Sequence, residues 1–84
     1  MLYVKSAKYI KNYEIEVFFS DGARWVVDLK EHLDEGVFRS LRDLSNFRKF
    51  HVHPDLETVV WENGADLAPE FLYHLGKSQN KQQA

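Results

Sequence analysis

The chain is 84 residues long, with six Phe, four Tyr and two Trp, no cysteine, and a formal net charge of −2. That length supports one small core, and the aromatic load is enough to build it, which argues against intrinsic disorder. The lack of cysteine excludes a disulfide framework and a thiolate metal site, and the near-neutral charge argues against non-specific nucleic-acid binding. No apolar run reaches the length of a signal peptide or a membrane span, so a cytoplasmic, bacterial protein is expected. The charge is uneven: residues 51–84 carry a net −3 and residues 1–50 a net +1.

Leu2 to Ile10 reads as a first strand, followed by a turn at Lys11–Asn12. Tyr13 to Phe19 is a clearer strand, because Tyr13, Ile15, Val17 and Phe19 alternate with Glu14 and Glu16. Asp21–Gly22 then predicts a hairpin with a two-residue primed turn. Arg24 to Leu29 returns with Trp25, Val27 and Leu29 on one face, completing an antiparallel meander.

Residues 30–47 read as helical, either two short helices or one broken at Gly36, with Phe38, Leu41 and Leu44 recurring every third position. Phe50 and Val52 mark a fourth strand, Pro54–Asp55 a turn, and Thr58 to Trp61 a fifth strand rich in β-branched residues. Asn63–Gly64 ends that strand. A last helix is predicted to open at Asp66, with Pro69 in its first turn and Gly76 as its C-cap. The fold class that follows is α+β: a small antiparallel sheet, made of a three-stranded N-terminal meander and a C-terminal strand pair, with two or three short helices. Residues 1–76 form the single domain in this reading, and residues 77–84 a polar, disordered tail.

Few side chains suggest chemistry. His51 and His53 share a strand face, with Asp55 just beyond, a ligand set compatible with a first-row metal. Pro54 interrupts the run, and an exposed structural role is the simpler reading. None of the serines lies in a nucleophile turn, and the four glycines are scattered singly, so no phosphate loop is present. Asp66 and Glu70 are four apart at a helix start, where acids complement free N–H groups as readily as they serve acid–base work. Arg39, Arg42, Arg48 and Lys49 form the basic cluster of the chain, interleaved with Phe38, Phe47 and Phe50 in a manner suited to single-stranded nucleic acid. Asp34, Glu35 and Asp43 lie nearby in sequence, and the same phenylalanines satisfy a core period. Trp25 and Trp61 fall on apolar strand faces. A sheet covered on one side only would leave Phe18 and Val26 as exposed apolar groups on the other.

The runs YEIEVFFSDGARWVVDL, GVFRSLRDLSNFRKFHVH and TVVWENGADLAPEFLY resemble a bacterial family catalogued as a domain of unknown function, family 2442, over about Val4 to Tyr73. The most specific part is the ending, through Trp61, Asn63, Gly64, Ala65, Asp66, Leu67, Ala68, Pro69, Glu70, Leu72 and Tyr73. Glu62 stands where that pattern often has proline. The resemblance implies a small α+β domain with no established enzyme activity or cofactor. Some relatives carry an added helix-turn-helix, which is not expected in this chain after GKSQNKQQA; others resemble the small partners of toxin-like proteins.

The resulting expectation is a non-catalytic protein–protein interaction module, antitoxin-like, with no cofactor and no metal. Its partner is expected to be another protein, toxin-like, or a second copy, with neither nucleic acid nor membrane involved. The interaction surface is expected at Asp66, Glu70, Tyr73, Arg39 and Arg42. The alternative is a nucleic-acid-binding accessory protein using the basic cluster at residues 39–49.

Overall fold

The structure, a computed structural model, describes residues 1–81. Three strands form the expected antiparallel meander in the order β1–β2–β3: β1 (Val4–Lys11), β2 (Glu14–Phe19) and β3 (Arg24–Asp28). Val4, Ile15, Val17, Phe19 and Val27 are buried on one face, as period-two alternation requires. The other face carries three cross-strand rows set by the register: Ser6–Phe18–Arg24, Lys8–Glu16–Val26 and Lys11–Glu14–Asp28.

The β2–β3 hairpin departs from the primed two-residue turn. The Gly22 N–H donates to the Phe19 carbonyl, and the Phe19 N–H donates to the Ala23 carbonyl, closing a three-residue loop around Ser20, Asp21 and Gly22. Only Gly22 has positive φ, at 92°, and the Asp21 carboxylate accepts from the Ala23 N–H at 2.9 Å. Asp-Gly suits this glycine-bulge loop as well as a primed turn, and the side-chain bond to Ala23 favours it. The same loop recurs at Trp61–Ala65. There Gly64 has φ 93°, and the Asn63 side-chain oxygen accepts from the Ala65 N–H at 3.0 Å.

The segment from 30 to 47 is mostly 3-10 helix rather than α-helix. Lys30–His32 and Gly36–Arg42 are 3-10 turns, and α1 is the short Leu44–Phe47. The reason lies in the spacing already noted: apolar residues every third position match three residues per turn, not 3.6. β4 (Phe50–Val52) pairs antiparallel with β5 (Val59–Trp61), and the chain returns beside β5 through an Asp66–Val60 bridge. Phe47 is the hub between the two sheets. The rings of Tyr9, Tyr13, Phe50 and Trp61 surround it at centroid distances of 5.4–6.4 Å, and the Trp61 indole N–H donates to the Phe47 carbonyl at 2.8 Å.

The last helix, α2, spans Pro69–Lys81 and begins at the proline, three residues later than expected. Asp66 is held extended by the β5 bridge, so it cannot open the helix. Gly76 is not a C-cap either. It is buried in the middle of α2, where an added Cβ would lie 3.0 Å from Trp25 Cβ and 3.2 Å from Val27 Cγ2. Glycine is there so that helix and strand can approach.

The expected disordered tail is therefore corrected for residues 77–81, which are helical, while 82–84 lie outside the described residues. The Gln79 side chain accepts from the Asp28 N–H and donates to the Asp28 carbonyl, at 2.8 and 2.9 Å. Asn80 donates to the Val26 carbonyl at 3.0 Å. Two side-chain amides thus cover the free edge of β3, a position otherwise open to strand addition.

Candidate functional site

The five expected surface residues fall on three elements: the return beside β5, α2 and the 3-10 segment. Asp66 and Glu70 are exposed, on the return beside β5 and in the first turn of α2 respectively. Tyr73 is only partly exposed. Its ring packs edge-on against Trp25 and Phe19, at 4.6 and 5.0 Å, and its hydroxyl donates to Asp21 Oδ2 at 2.5 Å. That bond, with a second from the Ala23 N–H, holds the Asp21 carboxyl below its ordinary value, and the carboxylate in turn raises the Tyr73 phenol. Tyr73 is thus committed to clamping α2 onto the β2–β3 hairpin. Arg39 and Arg42 lie on the 3-10 segment, and among the described residues no hydrogen bond or ion pair joins them to Asp66, Glu70 or Tyr73.

The basic cluster is more coherent. Arg39, Arg42, Arg48 and Lys49 are all exposed on one continuous stretch running from the 3-10 turn through α1. Arg39 and Arg42 are three apart on a 3-10 helix, which aligns them on one side. Arg42 reaches Asp34 at 3.8 Å, with both side chains well exposed, so the pair leaves the cation largely solvated. The Arg48 guanidinium stacks 5.1 Å over the Tyr9 ring. Lys49 lies at the rim of a cleft of about 310 Å³, shared with Ser40, Asn46, Glu62 and Asn63.

The one carboxylate inside the stretch, Asp43, is occupied as the N-cap of α1. It accepts from the Ser45 hydroxyl at 2.7 Å and the Ser45 N–H at 3.0 Å. These two bonds, the hydroxyl's first, keep its carboxyl below the ordinary value, and the Lys49 charge adds to them. The interleaved phenylalanines, in contrast, are core. Phe47 is fully buried, and Phe38 and Phe50 pack against the core. The cluster is therefore a set of four exposed cations whose interleaved rings are not free to stack. Sequence periodicity did not reveal Tyr9 as the partner of Arg48, because that contact joins positions thirty-nine apart.

His51 and His53 have ring centroids 6.5 Å apart, but His53 Nδ1 accepts from the backbone N–H groups of Asp55 and Leu56. His53 thus closes its own turn. Among the described residues no group of three His, Asp or Glu side chains is placed to hold a metal ion. Nor is any helix among them long and apolar enough to cross a membrane.

No curated protein matches the chain. Among solved structures it is similar to the crystal structure of the "Putative DNA Binding Protein NE0471" from Nitrosomonas europaea ATCC 19718, with a TM-score of 0.83 and 17% identity. The match covers 96% of this chain and 52% of that one, so the chain spans about half the neighbour's length. At that identity the likeness establishes the fold. The expectation of a protein partner or a second copy with nucleic acid set aside is corrected on one point: the matching fold comes from a protein named for DNA binding, so nucleic acid is not set aside. The model of the family described as "Protein of unknown function (DUF2442)" matches residues 4–78, and the chain belongs to that family.

Proposed function

We propose that this chain is a non-catalytic nucleic-acid-binding module that contacts the phosphate backbone through Arg39, Arg42, Arg48 and Lys49. The observation that carries the reading is the exposure of four cations within residues 39–49, where the single carboxylate, Asp43, is engaged by Ser45. The fold shared with a protein named for DNA binding supports the same partner class. Backbone contacts of this kind position a nucleic acid without reading its sequence. The acidic C-terminal half opposes the approach of phosphates, so binding is weak at physiological salt and strengthens as salt is lowered.

A titration of the ¹⁵N-labelled protein with a short DNA duplex at about 50 mM salt tests the proposal. Amide shifts should concentrate in residues 39–49. No shift at millimolar duplex, or shifts confined to residues outside 39–49 such as Asp55, Glu57 and Glu70, would overturn it.

A further inference from the structure

We infer that the uncovered face of the β1–β2–β3 sheet is a second contact surface, stacking an unpaired base of single-stranded nucleic acid on Phe18. The inference rests on the nucleic-acid reading above but uses different residues. Phe18 is 37% exposed at the centre of the row Ser6–Phe18–Arg24, while its neighbours Val17 and Phe19 are fully buried on the opposite face. α2 packs on that opposite face, where Gly76 meets Trp25 and Val27, so it leaves the Phe18 row uncovered.

The surroundings of Phe18 are cationic. The Lys5 ammonium lies 5.4 Å over its ring, Arg24 sits directly opposite on β3, and Lys8 occupies the next row on β1. Lys5, Lys8 and Arg24 are exposed, and among the described residues none has a carboxylate within 4.0 Å. Of the acids on this face, Glu14 and Asp28 belong to the third row, away from the Phe18 end, while Glu16 lies in the second row directly opposite Lys8 and offsets its charge. Asp21, at the adjacent hairpin tip, has its carboxylate occupied by the Tyr73 hydroxyl from the other side of the sheet.

An exposed ring flanked by Lys5 and Arg24 at one end of an open sheet fits a ligand that is both aromatic and anionic. Stacking platforms flanked by basic side chains bind single strands in this way, with little sequence preference. A duplex offers its phosphates but not its base faces, so only an unpaired strand uses Phe18. The two surfaces meet along β1: Tyr9, under Arg48, and Lys8 are adjacent residues on opposite faces of the strand. A single strand crossing that edge reaches both.

The test is fluorescence anisotropy with a labelled oligothymidine and with a labelled duplex, both at low salt. Phe18→Ala should weaken the single strand about tenfold and leave the duplex unchanged, with Phe18→Tyr close to wild type. Phe18 is partly exposed, and the far-ultraviolet circular dichroism of each variant checks that it folds. Single-strand affinity unchanged in Phe18→Ala would overturn the inference while leaving the 39–49 surface standing on its duplex arm. Single-strand loss in Phe18→Ala, with no effect of neutralising Arg39, Arg48 and Lys49, would keep the sheet face and remove the other surface. No binding of either oligonucleotide by the wild type would remove both.

Discussion

Replacing Gly76 by alanine sets two effects of known size against each other. In an exposed helix interior the change gains about 1 kcal/mol, because glycine is a poor helix former. At Gly76 the new methyl would stand 3.0 Å from Trp25 Cβ, 3.2 Å from Val27 Cγ2 and 3.3 Å from Trp25 Cε3. The first of these atoms is fixed directly to the backbone of β3, so it cannot rotate away, and α2 or the strand must shift. Overpacking of that kind costs about 1–3 kcal/mol. The net expectation is a loss of about 1 kcal/mol, or a melting temperature lower by about 4–8 °C in a domain this small. Thermal unfolding followed by circular dichroism measures it, with Ser78→Ala on the exposed side of α2 as the control. A rise in melting temperature for Gly76→Ala would mean that α2 does not lie against β3 at this point, and the uncovered sheet face would lose its structural basis.

Other expectations follow from named contacts. Trp61→Phe removes the donor to the buried Phe47 carbonyl and should destabilise the protein by about 1–3 kcal/mol, read by urea unfolding. Gln79→Ala with Asn80→Ala uncovers the β3 edge; amide exchange at Asp28 should quicken, and aggregation on concentration should increase. The Tyr73–Asp21 bond gives stability two pH limits. Asp21 titrates below its ordinary 3.8 when folded, so its contribution is complete above that pH and is lost as pH falls through the folded value. Tyr73 titrates above its ordinary 10.0, so its contribution is complete below that pH and is lost as pH rises through the folded value. The melting-temperature gap between wild type and Tyr73→Phe should therefore be widest between those limits and shrink beyond both; a gap independent of pH would refute the assignment.

The meander was legible because one face of each strand is buried, and burial imprints a period of two on Ile15, Val17 and Phe19. The family was legible in the WENGADLAPEFLY run, whose residues make a glycine-bulge loop, a return beside β5 and a helix start. What escaped depends on distant partners. Gly76 has the same local signature whether it ends a helix or admits a strand, and only Trp25, fifty-one residues away, decides between the two. Tyr73 resembled a surface residue until Asp21, fifty-two residues away, claimed its hydroxyl. The phenylalanines among the arginines looked like stacking rings because spacing records that a side chain is apolar, not which side of the segment meets the core. The exposed ring with cations around it lies instead on β2, where Lys5 reaches Phe18 from an irregularity in β1 that alternation does not foretell.

The salt dependence of duplex affinity tests the central claim most directly. Anisotropy titrations across a range of salt concentrations should give a log–log slope of about −3 for the wild type, the response expected when three or four cations neutralise phosphates. The Arg39→Ala, Arg48→Ala, Lys49→Ala triple variant should bind far more weakly, with the slope reduced by about 3. An equal slope and affinity in the two proteins would contradict the assignment of phosphate binding to residues 39–49.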